Sequence, residues 1–253
     1  MPESPRWLIA RKKTSKAISS LKFIAKFNGK YLPENAQVTI SKEKEPPFCE
    51  LFLSPIYRRR IIIISLVWFS NTLIYYGLSL SAGSFVSSIY IEFILNAVIE
   101  IPATAFAQFT MHFISRKKSL CASMICSGIC LMIIMPLKHR LTIFILELVG
   151  KFFLSTAFTV MLLYTSELFP TLIRNWAFGV ASCSGRFGSL LSTAISKLSH
   201  EIDVHIPMFS FGILSVVIGA SVLLLQETKD ALLKETIEKK VKPEEDEIAL
   251  NIQ

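Results

Sequence analysis

Charge is scarce in this chain. Asp, Glu, Lys and Arg make up 18% of its 253 residues, and long stretches hold none. A glycine-rich phosphate loop, a metal-ligand spacing and a nucleophile motif are all absent, which leaves no basis for a soluble enzyme and calls for no cofactor. Cysteine is sparse and odd in number: Cys49, Cys121, Cys126, Cys130 and Cys183, four of the five in apolar runs. That set suits reduced packing residues better than a disulfide framework, and Cys126 and Cys130 share a helix face at i, i+4. No basic segment leads into an apolar one after Met1, so no signal peptide is expected. No internal repeat is visible.

What the chain has instead is apolar residues gathered into runs. They make up 52% of the residues, and the mean hydropathy is +0.51. A soluble domain would alternate or stripe them. The net charge of +8 comes from Lys and Arg at the termini and between apolar runs. That is the positive-inside pattern of a membrane protein, so lipid, not nucleic acid, is the expected partner.

The spacing predicts an all-α membrane protein in three regions. Residues 1–60 form a cytoplasmic loop region, with a short amphipathic helix over Lys12–Asn28 that lies on the membrane or in solvent. A flexible Lys-, Glu- and Pro-rich loop covers Pro33–Pro47. Residues 61–225 form six transmembrane helices: Ile61–Leu80, Phe85–Phe113, Leu120–Met135, Leu141–Tyr164, Trp176–Leu198 and Ile206–Leu225. Ser81–Ser84 and Ser199–His205 are outer turns. Residues 226–253 are a charged cytoplasmic tail. An even number of spans puts both termini on one side. Arg58-Arg59-Arg60, Arg116-Lys117-Lys118, Arg174 and Lys229 mark that side as cytoplasmic, against Lys138, Arg140 and Lys197 outside.

The fifth span organises the rest. Arg186 lies about 15 Å from Trp176 at the helical rise, half-way through a hydrocarbon core of about 30 Å. A charge there costs at least about 2.5 kcal/mol, so it should face protein or a watery cavity. Gly179, Ser182, Ser184, Gly185, Gly188 and Ser189 around it admit close neighbours and leave room for a solute. Glu100 is also near the midplane, and Pro102 beside it is expected to kink its helix. Glu100 and Arg186 either pair with each other or bind opposite ends of a solute. Trp68 and Tyr75 share a face of the first span, with Tyr76 further round and Asn71 as a polar handle. Such aromatics either line a cavity, where they attract an ammonium, or belong to an interfacial belt. Glu147 and Lys151 form an i, i+4 pair that either neutralises itself or lets Lys151 reach the cavity. Glu92 is expected to face a loop. A deep Arg suits a carboxylate, and a deep Glu with aromatics suits an ammonium. Together they suit a zwitterion.

Several segments carry a family resemblance: PESPRWL at 2–8, WFSNTLIYYGLSLSAG at 68–83, IEIPA at 99–103, GKFFLSTAF at 150–158, YTSELFPTLIRN at 164–175, FGVASCSGRFGSLLS at 178–192 and QETK at 226–229. They resemble the C-terminal half of solute carrier family 22, the organic cation, carnitine and zwitterion transporters of the major facilitator superfamily. The wording of the seventh and eighth spans resembles the member 15 branch most, a zwitterion and carnitine type. The resemblance implies half of a twelve-helix plasma-membrane transporter working by alternating access, with its solute held between two six-helix halves. It implies a partner, either the family's first half or a full-length relative. A non-transporting half-carrier that regulates such a relative, and an organic anion or cation transporter half, are the alternatives. A truncated isoform, a partial gene model and a degenerate copy are all compatible with the sequence. By resemblance, Glu167 and Arg174 form a gating charge pair, with Arg116 close by in the loop after the second span. There are departures. The family's Asp-x-x-Gly-Arg-Arg loop reads here through His112, Ser115, Arg116 and Lys117, and Gln226 replaces a Pro. Cation specialists of the family often carry Asp where Arg186 stands, and the anion branch often has Lys near Thr104. The expected substrate-binding set is therefore Arg186, Glu100, Trp68, Asn71, Tyr75, Tyr76, Lys151 and Ser184.

Overall fold

A computed structural model describes residues 3–11, 13–30, 50–80, 89–170, 173–199 and 205–228. Cys49, the Pro33–Pro47 loop, the Ser81–Ser84 turn, residues 200–204 of the outer loop, Lys229 and the tail beyond it lie outside these residues. Every regular element among the described residues is helical. They fall into two compact units.

The smaller unit holds α1 (Pro5–Ala10) and α2 (Thr14–Phe27), which touch each other. α1 starts on a proline, whose fixed φ suits a first helical turn. In α2 the side chains of Phe23, Ile24 and Phe27 are exposed, while Ala17 is buried.

The larger unit runs through α3 (Glu50–Leu53), α4 (Pro55–Leu80), α5 (Ile89–Val98), α6 (Glu100–Phe113), α7 (Arg116–Ile133), α8 (Arg140–Leu168), α9 (Arg174–Ser199) and α10 (His205–Ser221), closing in a 3-10 turn at Val222–Leu224. α4 begins six residues before the expected Ile61. The Arg58–Arg60 cluster therefore belongs to its first turns and does not precede it. The second expected span divides into α5 and α6 at Ile99. Pro102 explains the break: it has no N–H to give the Val98 carbonyl, and its ring crowds that carbonyl.

Among the described residues, four helices are long and apolar enough to cross a membrane: Pro55–Leu80, Tyr90–Phe113 (α5 and α6 together), Arg140–Leu168 and Ile206–Leu224. α7 and α9 are not among them. α7 opens on Arg116-Lys117-Lys118, and both helices are rich in Ser, Gly and Cys. Much of that small polar surface is turned inward. Ser119, Ser123, Ser127 and Gly128 of α7 are buried against neighbours. Large apolar side chains such as Ile101, Phe109, Leu141, Ile145, Phe187, Leu190 and Val217 cover the outside. Such a surface suits lipid, because the helices satisfy their own backbone bonds.

Two helix seams of the bundle are built on glycine. In the first, α7 meets α10 through facing glycines. A Cβ at Gly128 would lie 2.7 Å from the Gly212 carbonyl oxygen, so only glycine permits this approach. Ser215 donates to the Met124 carbonyl at 2.7 Å across the same seam. In the second, α9 lies along α4. A Cβ at Gly188 would lie 2.8 Å from Thr72 Oγ1. Ser184 donates to the Ser65 carbonyl at 2.8 Å. Leu73, Ile74 and Leu78 of α4, Leu131 of α7, Ile143 and Leu154 of α8, and Met208 and Phe211 of α10 form a shared apolar core.

Helix ends gather at one end of this unit. Arg60 stacks over Tyr57 and donates to Gln226 Oε1 at 2.5 Å. Tyr164 donates to the Gln226 carbonyl at 2.5 Å. Arg116 of α7 lies 3.4 Å from Glu167 of α8, so the starts of α4 and α7, the end of α8 and the segment after α10 are side by side.

Candidate functional site

A cavity of about 360 Å³ opens between α4, α6, α8 and α9. Each helix gives it one stripe at helical spacing. α4 supplies Trp68, Thr72, Tyr75 and Tyr76, and α9 supplies Ser182, Gly185, Arg186 and Ser189. α8 supplies Ser155, Phe158 and Thr159, and α6 supplies Glu100 and Thr104. Steps of three, four and seven residues keep one helix face pointed at one space.

Arg186 stands mid-way along α9 and is exposed to this space. It makes no ion pair among the described residues. It does not pair with Glu100, the first of the two arrangements left open by its sequence. Glu100 begins α6 just past the Pro102 break. Its Oε1 accepts from the Tyr75 hydroxyl and lies 3.9 Å from Lys151 Nζ. The Glu100 side chain stays 41% exposed, while that of Lys151 is 4% exposed. Lys151 also donates to Ser79 Oγ at 3.0 Å and lies 4.9 Å from the centre of the Tyr75 ring.

Tyr75 and Tyr76 meet edge to face at 5.3 Å. Trp68 is buried to 5% exposure, edge-on to Phe158 and Phe178. Its Nε1 donates to Thr165 Oγ1 at 3.0 Å, a bond that fixes the ring with one edge on the cavity. Thr72 Oγ1 lies 2.8 Å from both the Trp68 and the Gly185 carbonyls and ties α4 to α9 beside the opening. The buried Ser155 hydroxyl, also on the wall, has no hydrogen-bond partner among the described residues.

A family model for sugar (and other) transporters matches residues 1–239 of this chain. The chain belongs to the sugar (and other) transporter family. It is similar to solute carrier family 22 member 3 of Mus musculus, 34% identical over 248 residues, covering 94% of this chain and 44% of that protein. Human solute carrier family 22 member 2 is 33% identical over 245 residues, with 94% and 44% covered. Rabbit (Oryctolagus cuniculus) organic anion transporter 3 is 34% identical over 252 residues, with 94% and 46% covered. The chain thus spans about half the length of the curated relatives it matches. The sugar (and other) transporter family is one of multi-pass membrane transporters and not of enzymes.

Within this member of the transporter family, four residues singled out from the sequence have surroundings that need a second helix to explain. Asn71 is fully buried beside the cavity and not in its wall. Its amide donates to the Leu154 carbonyl at 3.3 Å. Ser184 is spent on the α4–α9 seam. At about 100° per residue it points about 200° away from Arg186. Lys151 turns from Glu147 to Glu100, because Ser79 and the Tyr75 face hold it there. Glu92, expected at a loop, is fully buried.

The gating set is rearranged. Glu167 Oε2 lies 3.4 Å from Arg116 Nε and accepts from Thr228 Oγ1 at 2.7 Å. Arg174 Nε donates to the Phe169 carbonyl at 3.4 Å. The acid lacking from the Arg116 loop is therefore supplied from α8. The Gln226 side chain gives Arg60 an acceptor, where a proline side chain would offer none. Ser155, Phe158 and Thr159 were not singled out by their sequence, although they continue the Lys151 face at one and two turns.

Proposed function

We propose that this chain is the C-terminal half of a transporter of small organic ions, with zwitterions of the carnitine or betaine type as its solutes. Half of a major facilitator fold requires six spans. In this reading α7 and α9 cross the membrane too, shielded by the four more apolar helices. Both termini are cytoplasmic, in the plasma membrane, and the family's first six-helix half closes the cavity opposite this wall.

The observation that carries the reading is a cation without an ion pair among the described residues and a carboxylate with aromatic neighbours, both lining one cavity. Arg186 suits a carboxylate bidentately. Glu100 beside Tyr75 and Tyr76 suits an ammonium. A volume of about 360 Å³ lies within the range of small-ligand sites. Ser155 and Thr159 offer hydroxyls in the same cavity. The member 15 branch and its carnitine chemistry agree with this pairing. The cluster of Arg116, Glu167, Thr228, Arg60 and Gln226 is the inner latch in this reading, and it governs turnover more than affinity.

The test is binding of carnitine and of tetraethylammonium to the chain in lipid nanodiscs. Arg186→Ala weakens carnitine about tenfold to a hundredfold and leaves tetraethylammonium nearly unchanged, as expected for one charge-assisted contact. Equal effects on both probes overturn the assignment of Arg186 to a carboxylate.

A further inference from the structure

We propose that Lys151 is a tethered stand-in for the solute's ammonium, and that Glu147 is the counter-ion that receives it when a solute takes Glu100. The proposal rests on the reading of Glu100 as an ammonium site, and adds how that site is kept filled and then emptied.

The resting geometry already shows ammonium recognition. Lys151 Nζ sits over the Tyr75 ring at 4.9 Å and beside Glu100 Oε1 at 3.9 Å. An aromatic face and a carboxylate are the two groups an organic ammonium seeks. Lys151 reaches them from inside the bundle, and a solute would reach them from the cavity. Two cations on one carboxylate repel each other strongly at low dielectric, so a solute ammonium must displace the lysine.

Glu147 is where the lysine goes. It lies one turn earlier on the same helix, at the spacing that lets two side chains meet. It is fully buried, and both carboxylate oxygens lack a hydrogen-bond partner among the described residues. The charged groups that act on it are Glu92 of α5 and Lys151 of α8. Across the cavity wall Glu100 of α6 shares that same lysine. A buried carboxylate without partners is costly, and a second arrangement in which it holds the lysine removes the cost. The four-carbon stem of lysine swings between acceptors without moving the helix. Each ammonium then has its own acid: the solute's at Glu100 and the lysine's at Glu147. An empty site is thereby dominated by Arg186. An occupied one presents the full carboxylate to the solute.

Thermal unfolding of the full chain in nanodiscs tests the lysine's second position without any solute. Glu100→Gln mimics a carboxylate already taken. In the otherwise native chain, Glu147→Gln should leave the midpoint unchanged or raise it, since it relieves an unpartnered acid. In the Glu100→Gln background the same substitution should lower the midpoint by several degrees, and adding Lys151→Met should abolish that drop. The same shift in both backgrounds overturns the proposal. Tetraethylammonium binding is the second measurement. Glu147→Gln should weaken it about tenfold, and Lys151→Met with Glu147→Gln should restore it. Weakening that persists in the double variant overturns the displacement. A midpoint reversal without tetraethylammonium binding in any variant refutes the solute reading while upholding the two-position lysine.

Discussion

The α7–α10 seam and the α4–α9 seam are built from the same small residues and end differently. Gly128 and Gly212 face each other and close the first completely, with Ser215 spending its hydroxyl on a backbone carbonyl. In the second, Gly188 and Ser184 make the contact. Ser182, Gly185, Arg186 and Ser189, about 100° further round α9, face an opening. Small residues are therefore not a signature of either packing or a cavity. The neighbouring helix decides. α10 answers glycine with glycine, whereas α4 brings the bulky Trp68, Tyr75 and Tyr76 to the edge of the α9 face, where the opening lies.

The sharpest way to break this contrast is to crowd the closed seam. Gly128→Leu should cost about 3 kcal/mol or more, because its Cβ meets backbone that has nowhere to retreat. It should abolish a monodisperse peak in size-exclusion chromatography. Gly179→Ala, with nothing within 4 Å of the added carbon, should leave the elution profile intact. The next largest effect is expected on the open side. Arg186→Ala should lose about 1.5–3 kcal/mol of carnitine affinity by titration calorimetry, with no loss of unfolding midpoint. A lower midpoint would mean that Arg186 holds helices together like a seam residue. Trp68→Phe should cost about 1 kcal/mol of stability by removing one buried hydrogen bond to Thr165. Smallest of all, Glu167→Gln should cost less than about 1 kcal/mol, since the pair with Arg116 is partly exposed. Added salt should shrink the difference in midpoint between it and the native chain.

The residues whose placement was legible from sequence are those positioned by one helix alone. Arg186 is misplaced in any bilayer-length run, Trp68 and Tyr75 are seven apart, and Pro102 must break its helix. Each inference needs only rise, period and a missing N–H. What escaped depends on a second helix. The i, i+4 rule pairs Lys151 with Glu147 and has no knowledge of Ser79 or Tyr75 on α4. Asn71 lies only about 60° from Trp68 on α4, yet the Leu154 carbonyl of α8 claims it. Glu92 looked like a loop charge because distance along a span says nothing about which neighbour covers it. Ser184 is the exception. Its angle from Arg186 could have excluded it from the cavity on period alone. The span count divides in the same way. α7 and α9 read as spans by position, but their polar residues are intelligible only beside the helices that cover them.

The interruption at Ile99 has a mechanical consequence. An unbroken rod of 24 residues tilts as a whole, so any movement at one membrane face is transmitted to the other. Pro102 leaves the Val98 carbonyl without its helical donor, while the Ile99 and Ala103 amides keep theirs, so the same span is softened beside its carboxylate without being cut. Bending at that point changes the direction of the Glu100 side chain more than it changes either helix.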